Sequence, residues 1–180
     1  DSTFAKVETL DELCLITVKN PVKRSEVFRK IQEITDLGMS GKLSFGESLK
    51  QRLDLIEIHT SDIDVLITVM KEKISDSFKR NIEFFKSFSS RIYIVSNGFK
   101  DVIVPIVAAY NIEEENVFAN EFVYDEQGIV IDVNKENPLC VDNGKVEVLK
   151  TLNLEGDIFV IGDGYNDYEI KKAGIANKFY

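Results

Sequence analysis

The sequence predicts an α/β protein in which a parallel β-sheet is covered by helices on both faces. Two short apolar runs, Arg91–Val95 and Asp157–Ile161, have the near-continuous hydrophobicity of strands that are buried on both sides. Each run is followed by a glycine-containing turn and then by residues with helical spacing, which is the alternation of a parallel sheet. The 180 residues, of which 44% are hydrophobic, are enough for about one domain with its own core.

The first part of the chain is predicted to be helical. Between residues 10 and 74, apolar side chains recur at spacings of three and four. This pattern predicts helices over Glu26–Thr35, Gly46–Glu57 and Ser61–Lys73. We therefore expect a mostly helical segment, residues 10–74, followed from about residue 75 by a region of alternating helices and strands.

From residue 75 onward, helices alternate with strands. The predicted elements are, in order, an amphipathic helix Ser75–Ser87, the strand Arg91–Val95, a helix Lys100–Tyr110, a β-hairpin of Glu121–Tyr124 and Ile129–Val133 with Gly128 in its turn, a helix Lys145–Leu152, the strand Asp157–Ile161, and a helix that ends at Ala173 with Gly174 as its C-cap. Ligands of parallel sheets lie beyond the carboxyl ends of the strands. We expect Ser96–Gly98 and Gly162–Gly164 to meet there, because both turns follow predicted strands.

Charge and composition argue against several functional classes. A net charge of −9 argues against binding to nucleic acid or to anionic lipid, since that binding depends on Lys and Arg. No apolar run is long enough to span a membrane. Cys14 and Cys140 lie in apolar stretches, which is typical of reduced core residues in a cytoplasmic protein. Because His59 is the single histidine, catalysis here would depend on carboxylates, hydroxyls and lysines.

A pair of carboxylates near the end of the chain suggests a metal site. Asp163 and Asp167 lie four residues apart in a predicted tight loop. Two like charges about 4 Å apart repel by roughly 4 kcal/mol at an effective dielectric constant near 20. A cation would remove this repulsion, and Mg²⁺ prefers such hard oxygen ligands.

Three other segments offer groups for a phosphate ester. Ser96, the backbone N–H groups beside it and Lys145 suit phosphate oxygens, and Asp1 suits general acid–base chemistry in place of histidine. Each segment also has a purely structural interpretation. An Asp-Ser-Thr triplet commonly caps a helix, Ser96–Gly98 fits an ordinary strand-to-helix turn, and Lys145 fits a solvated helix residue.

In this order, the segments resemble the haloacid dehalogenase-like (HAD) phosphatases, and within them the phosphoserine phosphatase group. Asp1-Ser2-Thr3 resembles the end of the family's Asp-x-Asp-Ser-Thr motif. Glu8-Thr9-Leu10-Asp11-Glu12 resembles the stretch after that motif, and residues 41–52 resemble the family's cap segment. The likeness extends over nearly the whole chain. It implies a Rossmann-like HAD core with a β-hairpin, made of residues 1–9 and 75–180, and a small helical cap, residues 10–74, inserted after the first motif.

The resemblance implies roles for individual residues. Asp1 matches the aspartate that protonates the leaving alcohol, then deprotonates water, and binds Mg²⁺ through its carbonyl oxygen. Asp163 matches a direct metal ligand, and Asp167 matches a residue that supports the metal. The residues that match substrate-binding positions are Ser96, Asn97, Lys145 and Asn166 around the phosphate, Glu8 and Arg52 at the substrate's ammonium and carboxylate, and Met39 and Phe45 in the cap; Ser96 and Lys145 are also expected to be catalytic.

The implied function is Mg²⁺-dependent hydrolysis of a small phosphate ester, with O-phosphoserine as the first choice, through an aspartyl-phosphate intermediate. Two alternatives stay open: a HAD phosphatase for another small phosphorylated metabolite, and a non-catalytic module that binds phosphate or a partner. A receiver domain also places acidic residues, a Ser or Thr and a Lys on a parallel sheet, but it lacks a helical insert near its start. The sequence does not indicate the oligomeric state.

The resemblance also implies residues outside this sequence. The family's nucleophilic aspartate ends a central strand, and its position would lie two residues before Asp1. A central strand of about five residues contributes roughly ten ladder hydrogen bonds at about 1 kcal/mol each. We therefore expect an apolar strand upstream of Asp1, and a further strand that starts within Ile175–Tyr180.

Overall fold

A computed structural model describes residues 3–180, and Asp1 and Ser2 lie outside the described residues. Its helices are α1 (Thr9–Thr17), α2 (Pro21–Met39), α3 (Phe45–Leu53), α4 (Thr60–Glu72), α5 (Asp76–Arg80), α6 (Ile82–Ser87), α7 (Lys100–Val107), α8 (Gly144–Thr151) and α9 (Tyr165–Lys172). Its strands are β1 (Ile94–Phe99), β2 (Val117–Asn120), β3 (Phe122–Tyr124), β4 (Val130–Val133), β5 (Phe159–Val160) and β6 (Lys178–Phe179). None of the helices in this part of the chain is long and apolar enough to cross a membrane.

The helical segment is close to its prediction, with differences at the helix ends. α2 is longer than predicted because the Asn20 side chain accepts hydrogen bonds from two backbone N–H groups of the first turn, where Pro21 fits without losing a bond. α3 starts at a capping box formed by Ser44 and Glu47. α1 is a helix that the spacing analysis does not delimit.

Three predicted boundaries in the second part of the chain are wrong. The helix predicted over Ser75–Ser87 is divided at Asn81 into α5 and α6. The strand predicted over Arg91–Val95 starts at Ile94 and continues through the predicted turn to Phe99. α7 ends at Val107, soon after Pro105, whose ring removes one helical N–H donor, and the rest of the predicted helix, Ala108–Tyr110, is a 3₁₀ helix.

The strands form parallel pairs at two places and the predicted hairpin at a third. β1 pairs with β2 in parallel, with Ile94 opposite Val117, and β5 pairs with β6 in parallel, with Phe159 opposite Lys178. β3 and β4 are antiparallel. Among residues 3–180, these pairs are not hydrogen-bonded into one continuous sheet. The upstream strand stays a prediction.

Two hydrophobic clusters hold the described residues together. The larger one unites α1–α4 with α7, β2 and the hairpin, and its fully buried members include Leu13, Ile31 and Phe99. The smaller one contains Val146 and Leu149 of α8, together with part of α9 and the end of the chain. The start of α4 is also joined to the hairpin turn, because the Thr60 N–H donates to the Gly128 carbonyl oxygen at 2.9 Å. The division into a core and a cap at residues 10 and 74 stays a prediction.

The histidine and the two cysteines have structural surroundings. The His59 ring accepts a hydrogen bond from the Ser61 N–H and bonds the Gln127 carbonyl oxygen at 2.9 Å, so it caps α4 and ties that helix to the hairpin. Cys14 and Cys140 are buried and form no disulfide.

Candidate active site

Ser96–Gly98, the turn predicted from the sequence, lies inside β1 where the pairing with β2 is irregular. The Ser96 hydroxyl oxygen accepts a hydrogen bond from the Gly98 N–H at 3.0 Å, which draws the turn together. The Asn97 side chain points elsewhere, since its amide donates to the Leu139 carbonyl oxygen at 2.9 Å. The Ser96 hydroxyl can therefore still donate its own proton, whereas the Gly98 N–H is occupied and the Asn97 amide holds a neighbouring segment.

Lys145 and Asp167 form a short and largely buried ion pair. The Lys145 Nζ lies 2.6 Å from Asp167 Oδ1, and each side chain is only 13% exposed. The second oxygen of Asp167 accepts a hydrogen bond from the Gly164 N–H at the start of α9. Both oxygens of this carboxylate are therefore already occupied, which suits a residue that orients Lys145.

Glycines allow both members of this ion pair to approach. A Cβ atom on Gly162 would lie 2.3 Å from the Cβ and Cγ atoms of Asp167, so any side chain there would displace the carboxylate. A Cβ atom on Gly144 would lie 2.0 Å from the Pro138 carbonyl oxygen. Gly144 thus lets α8 start against the preceding segment, which places Lys145 at the first turn.

A small hollow of about 10 Å³ lies between these segments. Its lining residues are Asn97, Val141, Asn143, Gly144, Lys145, Asn166 and Glu169. Three residues of the predicted phosphate site, Asn97, Lys145 and Asn166, are therefore brought together. Asn143 and Glu169 were missed, and no local pattern marks either of them. A larger cavity of about 250 Å³ lies between the end of α3 and β4 and contains none of the predicted site residues.

Asp163 is connected to the start of the chain. The Thr3 hydroxyl donates a hydrogen bond to Asp163 Oδ1 at 2.6 Å, although the two residues are far apart in sequence. This contact places Thr3, the last residue of the first predicted motif, beside Asp163. The expected roles of Asp1 lie outside the described residues.

The predicted metal ligands among the described residues, Asp163 and Asp167, differ in the hydrogen bonds that their carboxylates accept. Within residues 3–180, no group of three or more His, Cys, Asp or Glu side chains is arranged to hold a metal ion. Asp163 offers a hard carboxylate oxygen of the kind that Mg²⁺ binds, whereas both oxygens of Asp167 already accept hydrogen bonds. Within the described residues, Asp163 is therefore better suited than Asp167 to bind a cation directly.

Arg52 lies near the end of α3 in a largely buried position. Its Nε donates to the Ser48 carbonyl oxygen at 3.1 Å and one Nη donates to the Thr35 hydroxyl at 3.4 Å. Burial lowers the pKa of the guanidinium, while the negative charges of Glu8 and Asp11 act in the opposite direction. Arg52 and Glu8 are thus close enough to interact, as the prediction for the ends of a zwitterionic substrate requires.

Asp11 belongs to the same charged group and was missed as a site residue. Burial raises the pKa of its carboxyl, and the charge of Glu8 raises it further, whereas Arg52 lowers it. Asp11 follows Glu8 by three residues along α1, so helical spacing places the two on one face. This three-residue spacing is the sequence signal that could have identified Asp11.

The two predicted apolar cap residues differ in their surroundings. Phe45 packs against the large core, and its backbone N–H donates to Asp142 Oδ1 at 3.1 Å, which attaches the start of α3 beside the hollow. Met39 is 83% exposed at the end of α2. Phe45 therefore lies near the predicted phosphate groups, whereas Met39 is open to solvent.

Comparison with known proteins agrees with the resemblance found in the sequence. The family model for haloacid dehalogenase-like hydrolases matches residues 76–170, more than half of the chain. A phosphoserine phosphatase from Drosophila melanogaster is 30% identical over 94% of this chain and 61% of its own length. One from Methanocaldococcus jannaschii is 29% identical over 99% of this chain and 82% of its own length.

A solved structure shows the same fold. A phosphoserine phosphohydrolase-like protein from Francisella tularensis superposes with a TM-score of 0.81 at 28% identity, covering 99% of this chain and 82% of that one. The chain spans about three fifths of the length of the first curated relatives that it matches. The expected α/β fold with a Rossmann-like core is confirmed. The protein belongs to the haloacid dehalogenase-like hydrolase family.

Proposed function

We propose that the protein is a Mg²⁺-dependent phosphomonoesterase that hydrolyses O-phosphoserine to serine and phosphate. The observation that carries the proposal is the buried contact between Lys145 and Asp167 beside the Ser96 turn. A lysine held in this way would supply a positive charge to a phosphoryl group that also accepts a hydrogen bond from the Ser96 hydroxyl. The relatives named as phosphoserine phosphatases support the choice of reaction.

Different residues of the chain have different roles in this reaction. Lys145 and the Ser96 turn bind the phosphate oxygens and stabilise the charge that develops on them during transfer. Asp167 holds Lys145 in position. Mg²⁺, held by Asp163 and Asp1, would neutralise the charge of the phosphate. Asp1 would protonate the leaving serine oxygen and then remove a proton from the attacking water.

The aspartyl-phosphate intermediate is proposed on the resemblance, which assigns its nucleophile to a position before Asp1. An acyl phosphate divides the displacement into two steps, transfer to a carboxylate and hydrolysis by water. Both steps use the same bound phosphoryl group. One set of donors at Ser96 and Lys145 therefore serves both.

The choice of O-phosphoserine depends on the charged group at the cap. Arg52 has a guanidinium fork that suits a carboxylate, and Glu8 suits an ammonium group. Two donor groups of Arg52 bond Ser48 and Thr35, which fixes the orientation of the fork. A substrate with a carboxylate and an ammonium next to the phosphate ester would satisfy both ends of this arrangement.

Kinetics with two substrates test the proposal. We expect wild-type protein to release phosphate from O-phosphoserine with Mg²⁺, and to lose this activity when EDTA removes the metal. Arg52→Ala should raise KM for O-phosphoserine at least about tenfold, because a charge-assisted bidentate contact contributes more than 1.4 kcal/mol. KM for p-nitrophenyl phosphate, which has no carboxylate, should change less than about twofold.

The matched control is Arg29→Ala, because Arg29 lies on the exposed surface of α2 and forms a surface ion pair with Glu33 at 2.7 Å. This control should leave both KM values unchanged. Equal effects of Arg52→Ala on the two substrates would exclude an amino-acid phosphate as the substrate. Absence of phosphate release with and without Mg²⁺ would exclude the phosphatase itself.

A further inference from the structure

Asn120, the last residue of β2, is a buried polar side chain that the proposed reaction does not use. Its exposure is 0%. Its amide nitrogen donates to the Asn97 carbonyl oxygen at 2.8 Å and to the Leu139 carbonyl oxygen at 3.2 Å. Within residues 3–180, its side-chain oxygen is buried without a hydrogen-bond partner. Asn120 thus acts here as a double donor.

The first of these bonds forms where the strand ladder is interrupted. Val95 pairs with Phe118 and Phe99 pairs with Asn120, so three residues of β1 lie between pairing positions that are separated by one residue on β2. This bulge lifts Ser96–Gly98 out of the regular ladder. The carbonyl of Asn97 lies in the bulge, and the Asn120 amide supplies a donor for it.

The second bond reaches the segment that leads to Lys145. The Leu139 carbonyl oxygen accepts from Asn120 and also from the Asn97 side chain at 2.9 Å. Leu139 and the adjacent Pro138 support the start of α8, since Gly144 packs directly on the Pro138 carbonyl. One buried amide therefore joins the two segments that carry Ser96 and Lys145.

The unpaired oxygen shows which property of Asn120 matters. Burying a polar atom without a partner costs free energy, and an apolar side chain of similar size would avoid that cost. Only an amide or a similar group can donate two hydrogen bonds from one atom to carbonyls on two different segments. The two hydrogen bonds that the Asn120 amide donates offset the cost of burying its unpaired oxygen.

We propose that Asn120 is a positioning residue that fixes the Ser96–Gly98 turn relative to Lys145, and so shapes the phosphate-binding site. This inference deepens the proposed function and rests on it for the identity of the ligand. Asn120 is fully buried, so it acts through Asn97 and Leu139 and has no exposed surface of its own for a ligand.

The test measures phosphate binding and catalysis in Asn120→Ala and Asn120→Ser. We expect Asn120→Ala to raise Kd for inorganic phosphate about tenfold or more in calorimetric titration. It should lower kcat/KM by the same factor for O-phosphoserine and for p-nitrophenyl phosphate, because the two substrates share the phosphate alone. Asn120→Ser keeps one hydroxyl donor and should lie between Asn120→Ala and wild type.

The control is Asn116→Ala, just before the other end of β2. The Asn116 amide donates to the Ser89 carbonyl oxygen at 3.5 Å, away from the site. This variant should leave Kd for phosphate within about twofold of wild type even if its unfolding midpoint in urea falls. The comparison separates a loss of stability from a change in the site.

Each outcome decides the inference. A change of less than about threefold in Kd for phosphate in a folded Asn120 variant overturns it, and Asn120→Ser decides if Asn120→Ala does not fold. If wild-type protein hydrolyses no ester yet binds phosphate in a way that depends on Asn120, the proposed function fails and the inference stands. If wild-type protein neither binds phosphate nor hydrolyses esters, both fail.

Discussion

The buried ion pair of Lys145 and Asp167 supports a prediction about stability. The pair is short, at 2.6 Å, and each side chain is 13% exposed, so removal of one partner leaves the other charge with little water around it. Breaking such a pair costs about 3–5 kcal/mol. A domain of this size loses roughly 2–4 °C of Tm per kcal/mol, so Lys145→Met should lower Tm by about 6–20 °C.

An exposed pair on the same helix provides the matched control. Lys150 and Glu147 of α8 lie 2.8 Å apart, but their side chains are 55% and 58% exposed. Exposed pairs contribute about 0–1 kcal/mol, so Lys150→Met should change Tm by no more than about 4 °C. The double variant Lys145→Met/Asp167→Asn should recover part of the lost stability, because it leaves no unpaired charge.

We expect activity to depend on the positive charge of Lys145 and not on the thermal stability of each variant. Loss of a positive charge at the transferring phosphoryl group removes several kcal/mol of stabilisation, so Lys145→Met should lower kcat/KM by at least about 100-fold. The double variant should stay inactive although its Tm recovers. Thermal unfolding followed by circular dichroism and a phosphate-release assay give both values. A Tm equal to that of Lys150→Met, together with more than about a tenth of wild-type activity, would refute the reasoning.

Two further changes test the surroundings of the site. Gly162→Ala should lower both Tm and kcat/KM, because the added Cβ would displace Asp167. Gly164→Ala should have the smaller effect in the same two assays, because its added Cβ would lie 3.6 Å from the nearest atom, Asp167 Oδ2. Equal effects of the two variants would contradict this packing. Burial raises the pKa of Asp11 above its ordinary 3.8, so the stability of the wild-type protein should fall as pH rises from that value through the folded-state pKa. Asp11→Asn should therefore gain stability relative to wild type over this range in urea unfolding, and a pH-independent difference would contradict the assignment.

Much of the fold could be predicted because the decisive signals are local. Apolar runs bounded by glycine-containing turns indicated the parallel strands, and helical spacing indicated the helices. The errors lie where local signals are weak. β2 has only four residues and was missed, and the strand predicted over Arg91–Val95 was misplaced because β1 continues through a turn-like sequence.

The candidate reactive groups could be proposed from the sequence because each lies just after an apolar run or near the start of a predicted helix. Lys145 is the second residue of α8, and Ser96 and Asp163 follow the apolar runs Arg91–Val95 and Asp157–Ile161 in the sequence. Short polar motifs mark such positions without knowledge of the tertiary structure.

The residues that orient those groups are not marked by local motifs in the sequence. Asn120 contacts the turn at Asn97 from 23 positions away, and Asn97 contacts Leu139 across 42 positions. Such contacts depend on strand register and on the path of a loop, and neither leaves a periodic pattern in the chain. The chemistry of this site is therefore visible in local motifs, whereas its geometry depends on side chains whose partners are distant in sequence. Substitutions at such positions, as at Asn120, should alter the affinity for phosphate without removing any group that takes part in the proposed reaction.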